Sequence, residues 1–264
     1  MKTLVCCMMT ALCAIALAED AKKPAKPELT PQERAARRAE REMRRYGGIV
    51  RKANSAQGKV VFLNAQKTVP SAQFAPVLKH IEQVVHPELA LMDVESVKVG
   101  NPAADIRKAG GTIGVVIVEA ADVPALLAAP ESRWAQVNVA ALKDGASPEK
   151  LVRRVQLEIL RAFALAGGCA FLSSDPIAMR PNVLIPEDLD SIEHVVYGMD
   201  IRERLARNLP ALGVTPWRQT TYKQACKEGW APQPTNDYQK AIWDDIHAIP
   251  TNPIKIKYDP KKGK

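Results

Sequence analysis

Short apolar segments with different periodicities divide the central part of the chain into predicted strands and helices. The runs at 59–64 and 112–118 are almost continuous in β-branched and other apolar residues, which is typical of strands. The second run follows two glycines and predicts a central strand covered on both faces of a sheet. Residues 89–99 are predicted to be extended, and residues 134–140 alternate as a half-buried or edge strand does.

Helical spacing of apolar residues predicts the elements between and after these strands. Residues 71–85 place their apolar side chains on one helical face. A long helix is predicted over 147–165, because Ser147 suits the N-cap and is followed by a proline at the first helical position. Another helix is predicted over 186–205. Together these elements predict an α+β domain with a mixed sheet and packed helices over residues 48–210.

The segments on either side of this domain differ from it in composition. Residues 1–18 combine an early lysine, an apolar run and an Ala-Leu-Ala site, which is the pattern of a signal peptide and predicts a periplasmic or secreted protein. Beyond it no apolar run approaches the ~20 residues of a membrane span. Residues 19–47 are predicted as a basic linker with a short helix. Residues 211–264, rich in Trp, Pro and Lys, are predicted as an irregular segment packed on the domain.

The formal net charge of +8 and the arginines at 31–45 leave two interpretations of the predicted N-terminal helix. It could attach the protein to an acidic polymer, or it could be a solvated arm with i,i+4 ion pairs. No aromatic residues are interleaved with the arginines to stack bases, so we expect no nucleic-acid partner.

Cysteine usage follows from the predicted export. Cys6, Cys7 and Cys13 belong to the predicted signal peptide, which leaves Cys169 and Cys226. Two cysteines in an oxidising compartment predict one disulfide, with a pair of buried free thiols as the alternative. No histidine or further cysteine lies at ligand spacing to either one, so neither cysteine predicts a zinc site.

Standard catalytic and cofactor motifs are lacking in the sequence. The four histidines lie apart, and each is interpreted as a surface or capping residue: His80, His86, His194 and His247. No Gly-x-Ser-x-Gly turn is present, and no glycine-rich loop opens a helix. The residues therefore predict no cofactor.

Residues 157–169, Leu-Glu-Ile-Leu-Arg-Ala-Phe-Ala-Leu-Ala-Gly-Gly-Cys, resemble the zinc-binding helix of metzincin proteases, whose signature is H-E-x-x-H-x-x-G-x-x-H. Aligned on Glu158, the three histidine positions hold Leu157, Arg161 and Gly167. Met179, in Pro-Ile-Ala-Met, resembles the Met-turn residue of this family, and the Asp-Leu-Asp that follows it is similar to archaemetzincin-like proteins. The resemblance implies a zincin-like fold over about residues 58–208.

The departures from this signature decide what the resemblance implies for chemistry. Leucine and glycine offer no ligand atom, and arginine is a permanent cation that repels a metal. No zinc is therefore expected, and without a metal-bound water Glu158 is vestigial. We expect Glu158 to pair with Arg161 or Arg154, and the Glu158–Arg161 pair would then fill the position of the metal.

The function implied is that of an exported, catalytically inactive metzincin-like pseudoprotease that binds a peptide or protein or acts as a scaffold. The expected cleft runs beside the 134–142 strand and is lined by Trp134, Gln136, Asn138, Glu158 and Arg161. A strand edge beside a cleft suits β-augmentation. The alternatives are an active secreted hydrolase with a non-standard site, a structural envelope protein that binds acidic polymers, and an unrelated secreted α+β or α/β domain.

Overall fold

A computed structural model describes residues 29–172 and 177–248, so the predicted signal peptide lies outside the described residues. Ile49–Gln233 form one compact unit, and residues 29–48 with 234–248 belong to a second, smaller one. Within the ranges described, no helix is long and apolar enough to cross a membrane.

A five-stranded mixed sheet lies at the centre of the larger unit. The strands of the chain are β1 (Ile49–Arg51), β2 (Val60–Ala65), β3 (Leu89–Val94), β4 (Ile113–Val118), β5 (Leu126–Ala129), β6 (Trp134–Asn138) and β7 (Gln219–Thr221). The sheet order is β3-β2-β4-β6-β5. Its first four strands are parallel, and β5 runs antiparallel to β6 at one edge. Strands β1 and β7 form a separate antiparallel pair.

Helices cover both faces of this sheet. The helices are α1 (Pro31–Tyr46), α2 (Ser71–Val85), α3 (Ala103–Lys108), α4 (Val139–Leu142), α5 (Pro148–Ala166), α6 (Met199–Ala211), α7 (Tyr222–Lys227) and α8 (Asp237–His247). One face of the sheet packs against α2, α5 and α6 in the larger hydrophobic cluster, and the other packs against α3 in a smaller cluster. A Cβ atom on Gly114 would lie 2.4 Å from Ile106 Cδ1, so α3 packs directly on β4.

Several predicted elements are confirmed, and with them the mixed sheet packed between helices. Strands β2 and β4 are buried along their full length. Helix α5 begins at Pro148 as expected, because the side chain of Ser147 accepts a hydrogen bond from the Lys150 amide. Helix α1 matches the short basic helix of the predicted linker.

Three predicted elements need correction. The strand β6 is an interior strand, buried throughout, because the short β5 adds to its outer side. The single helix expected over 186–205 is interrupted: a 3₁₀ turn covers Pro186–Ser191, and α6 begins only at Met199. The C-terminal segment is less irregular than predicted, since β7, α7 and α8 lie within it.

The predicted disulfide between Cys169 and Cys226 is not formed, and both cysteines are buried free thiols. Cys169 belongs to the large hydrophobic cluster beside α5, which does not include Cys226. Burial raises the pKa of the Cys169 thiol to about 11. Cys226 lies in α7 and interacts with the Tyr222 hydroxyl instead. The two thiols therefore lie in different surroundings and do not meet.

A buried arginine holds α5 to the chain that follows it. The Arg154 side chain is 1% exposed, and its Nε and Nη2 atoms each donate to the Asp190 carboxylate at 2.9 Å. Its Nη1 also donates to the carbonyls of Leu142 and Asp144. The hydrogen bonds from Arg154 hold the pKa of Asp190 down at about 2. This bidentate pair fixes the 3₁₀ turn against the helix.

We predict that Asp190→Asn lowers the free energy of unfolding at pH 7 by about 3 kcal/mol, because the buried Arg154 loses its bidentate carboxylate partner and keeps only the more distant, exposed Glu187. The matched control is Glu187→Gln: Glu187 lies 3.7 Å from Arg154, its side chain is 45% exposed, and its loss should change stability by less than about 0.5 kcal/mol. Urea denaturation measures both variants. Equal stability losses would contradict this role of Asp190.

The ionised Asp190 stabilises the folded parent because its pKa is lower in the folded state than in the unfolded chain. This stabilisation is full above the ordinary carboxyl pKa and disappears as the pH falls from about 4 toward 2. The stability difference between parent and Asp190→Asn should therefore shrink over that interval.

Candidate functional site

Helix α5 brings Glu158 and Arg161 together inside the larger unit. The two side chains are one helical turn apart, and each is 3% exposed. Arg161 Nε lies 3.3 Å from Glu158 Oε1. The predicted Glu158–Arg161 ion pair is thus confirmed, and Arg154 takes a different carboxylate, that of Asp190.

The turn that contains Met179 wraps around the Arg161 guanidinium. Arg161 Nη1 donates to the carbonyl of Ala178 at 3.0 Å and to that of Arg180 at 2.9 Å. The Met179 side chain between them is fully buried in the large hydrophobic cluster. The Phe171 ring lies 4.5 Å from the guanidinium carbon on another side. Arg161 is therefore fixed by two carbonyls, a carboxylate and an aromatic face.

Burial governs the electrostatics of this pair. It raises the pKa of Glu158 to about 7, although the nearby Arg161 opposes the shift, and it lowers the pKa of Arg161. Glu158 Oε2 is buried and has no hydrogen-bond partner among the residues described. A buried carboxylate with one unsatisfied oxygen costs free energy, so the protonated form of Glu158 is favoured and its pKa rises.

A cavity of about 240 Å³ opens beside the ion pair. Its apolar lining comes from the start of β5, from α4 and from the chain on either side of the Met179 turn: Pro124, Ala125, Leu126, Leu142, Phe171, Val183, Leu184, Ile185 and Pro186. Three of these side chains reach solvent, with exposed fractions of 36% for Phe171, 90% for Leu184 and 55% for Ile185. The cavity thus combines an apolar rim with a charged pair at its wall.

The remaining residues aligned with the metzincin ligands do not line this cavity. Leu157 is fully buried in the large hydrophobic cluster. Helix α5 continues through Ala164 to Ala166, so Gly167 lies about 9 Å along the helix axis from Arg161. A Cβ atom on Gly167 would meet Leu205 of α6 at 2.8 Å. The structure therefore brings Glu158 and Arg161 together and leaves Gly167 apart from them.

The cleft residues expected on β6 lie on the opposite face of the sheet from α5. Trp134 packs in the smaller hydrophobic cluster. Gln136 accepts a hydrogen bond from the Gly100 amide, and the Asn138 amide group bonds to Ala120. The strand that flanks the cavity is β5, which was absent from the sequence prediction.

The apolar rim was also missed by sequence reasoning. Leu184 and Ile185 stand in a short loop just before a proline, where no periodicity marks them. The available signal is that two large apolar residues are adjacent in a segment for which no helix or strand is predicted. Exposed apolar residues that cluster in this way mark binding surfaces.

The donor atoms at this site do not fit a zinc ion. Zinc in proteins takes nitrogen, sulfur and carboxylate ligands, usually three or four of them. Glu158 offers one carboxylate, whereas the positions one residue before it and three residues after it hold an aliphatic side chain and a cation. Among the described residues, no group of three His, Cys, Asp or Glu side chains is placed to hold a metal.

Solved structures similar to part of the chain include two archaeal proteins. A zinc-dependent peptidase from Methanocorpusculum labreanum has a TM-score of 0.42 and 14% sequence identity, with 55% of this chain and 99% of that chain covered. Archaemetzincin from Archaeoglobus fulgidus, in complex with malonate, has a TM-score of 0.40 and 15% identity, with the same coverage of 55% and 99%. No protein-family model matches the chain, and no curated protein matches it.

We predict that Glu158→Gln changes how stability depends on pH. In the folded parent Glu158 holds its proton up to a pH of about 7, whereas in the unfolded chain it releases it near the ordinary value of about 4.3. The folded state binds more protons in between, so the Glu158 contribution to stability is full below pH 4 and falls as the pH rises to 7. The glutamine side chain does not ionise, so the stability of the variant does not fall in this way as the pH rises.

Relative to the parent, the free energy of unfolding of Glu158→Gln should therefore rise by roughly 3 kcal/mol between pH 4.5 and pH 8. Urea denaturation at the two pH values measures the difference. Glu193→Gln, at a side chain that is 87% exposed, serves as the control and should show no such rise. A flat difference for Glu158→Gln would refute the raised pKa.

Proposed function

We propose that this chain is an exported, metal-free and catalytically inactive relative of the metzincins that binds an extended peptide in the cavity beside β5. The observation that carries the proposal is the fixing of Arg161. Its guanidinium is buried, paired with Glu158 and held by the carbonyls that flank Met179. In the alignment with the metzincin signature, Arg161 replaces the second zinc ligand, so a permanent cation occupies the place of a metal ligand.

The ion pair also suits binding better than hydrolysis. Above the Glu158 pKa of about 7 the two side chains have opposite charges, and the cavity wall that they form is close to neutral overall. Since Arg161 donates to backbone carbonyls, its charge is committed to the fold and is not free to polarise a substrate carbonyl. The pair therefore gives the cavity a rigid, closed wall.

The edge of the sheet next to the cavity supports peptide binding. Strand β5 is last in the sheet order, and its outer side has no strand partner within the described parts of the chain. An extended peptide could pair with this edge through main-chain hydrogen bonds. Leu126 belongs both to β5 and to the cavity lining, so a side chain of such a peptide would enter the cavity.

The rim indicates which peptides would bind. Phe171, Leu184 and Ile185 place apolar surface at the mouth, and their exposure would fall when an apolar side chain entered. Burying a side chain the size of leucine contributes about 1.5–3 kcal/mol. We therefore infer that the preferred ligand presents a large apolar residue next to an extended backbone.

One observation favours a second candidate, a hydrolase of unusual type. A carboxyl group whose pKa is raised to about 7 has the proton affinity of a general base at neutral pH. Against this candidate, Glu158 is the only described residue of the cavity lining with a side chain suited to acid–base or nucleophilic catalysis, since the others are apolar or are the committed Arg161. This alternative predicts peptide cleavage that is lost in Glu158→Gln.

The proposal is tested by selecting peptides from a random library displayed on phage. Selected peptides should contain a large apolar residue, and they should bind Leu184→Asp at least about tenfold more weakly than the parent, because the rim then meets the ligand with a charge. The control is Val99→Asp, which places the same charge on an apolar residue that is 43% exposed and distant in sequence. It should leave binding unchanged.

The same purified protein is assayed for bound zinc after incubation with zinc and dialysis, and for cleavage of the selected peptides with and without a chelator. We expect neither stoichiometric zinc nor cleavage. Stoichiometric zinc with chelator-sensitive cleavage would overturn the proposal. Equal loss of peptide binding in Leu184→Asp and Val99→Asp would also overturn it, because binding would then not depend on the cavity.

A further inference from the structure

The smaller unit carries a strongly basic surface on helix α1 that the cavity does not explain. Six of the sixteen residues in this helix are arginine, and none of the sixteen is buried. We call this set the arginine stripe: Arg34, Arg37, Arg38, Arg41, Arg44 and Arg45.

The spacing of these arginines places them all on one side of the helix. At 3.6 residues per turn, the six positions fall within an arc of about 120° and extend about 16 Å along the axis. The opposite side carries the small or apolar residues of α1: Ala35, Ala36, Ala39, Met43 and Tyr46. The arginines therefore form a line of charge along one face.

Most of the stripe has no counterion. Of the six arginines in the stripe, only Arg38 forms an ion pair with another described residue, and its partner is Glu42 at 3.0 Å. Arg34 donates to the Leu29 carbonyl, and the Arg45 guanidinium lies 5.2 Å from the centre of the Tyr46 ring. Helix α8 contacts α1, and Gln239 donates to the carbonyl of Gly47, but no acidic side chain of α8 pairs with the stripe. The charge is thus available to a partner.

The first amides of helix α1 are capped by residues of the helix itself, so the arginine stripe differs from an anion site at a helix N-terminus. Thr30 and Glu33 form a capping box, in which Glu33 accepts from the Thr30 amide and Thr30 accepts from the Glu33 amide. An anionic partner would therefore contact the side chains along the helix, not the free amides at its end.

Acidic residues on both sides of the stripe limit the shape of its partner. On the helical projection, Glu33 and Glu40 border the stripe on one side and Glu42 borders it on the other. A wide anionic surface, such as a bilayer or the two walls of a nucleic-acid groove, would bring its charges against these carboxylates. A single narrow chain of anionic groups along the arginines would not.

We propose that the arginine stripe binds a linear anionic polysaccharide. Guanidinium groups form bidentate hydrogen bonds with carboxylate and similar oxyanions, and their regular spacing suits a polymer that presents an acidic group on successive sugars. The stripe carries no large apolar residue to enter a bilayer and no aromatic residue to stack on a base. Binding is electrostatic, so it weakens as salt screens the charges.

The test measures affinity for heparin, a polysaccharide with carboxylate and sulfate groups, by calorimetry at low and high salt. In Arg37→Gln/Arg41→Gln/Arg44→Gln the three replaced arginines have no partner in the described structure, and glutamine keeps a similar helix propensity. The affinity at low salt should fall at least about tenfold. Circular dichroism checks that the helix content is unchanged.

The control removes the same number of positive charges from exposed positions elsewhere, in Arg107→Gln/Lys108→Gln/Lys227→Gln. It should reduce heparin affinity by less than about threefold. Equal losses in the two triple variants would overturn the proposal, because net charge alone would then explain binding. Tighter binding to duplex DNA, or to vesicles of phosphatidylglycerol and phosphatidylcholine, than to heparin would overturn it too.

Discussion

The burial of opposite charges on α5 is the constraint on which the candidate site depends. An ion pair taken out of water is stable only if its remaining hydrogen-bonding groups find partners. Arg161 Nη1 meets this condition through the carbonyls of Ala178 and Arg180, whereas Arg161 Nε and Glu158 Oε2 have no hydrogen-bond partner among the described residues. Burial raises the pKa of Glu158 as a result. The pair thereby fixes the Met179 turn against the helix and gives the cavity its polar wall.

A second buried arginine performs a parallel task about two turns earlier on the same helix. Arg154 holds the 3₁₀ turn through Asp190, as Arg161 holds the Met179 turn. The apolar rim residues Leu184 and Ile185 lie between these two attachment points. An otherwise irregular stretch of chain can therefore present a defined apolar surface beside β5.

The sequence predicted what depends on neighbouring residues. Ser147 and the proline after it marked the start of α5, and the i,i+3 spacing of Glu158 and Arg161 predicted their pairing. Strand β5 was missed because Leu-Leu-Ala-Ala is short and has modest strand propensity. That omission made β6 look like an edge, since strand order depends on pairing between distant segments. The two cysteines were expected to pair because export was predicted, but composition does not say which segments meet in space, and the two thiols pack separately.

The two carbonyls that receive Arg161 have a consequence for how the sequence can change. A histidine at this position, whose ring is shorter and carries one donor in its neutral form, could not serve both acceptors. Arg161→His alone would leave these buried backbone oxygens without donors and loosen the turn that contains Met179. A metal ligand at position 161 would therefore require further substitutions that supply new donors to the carbonyls of Ala178 and Arg180.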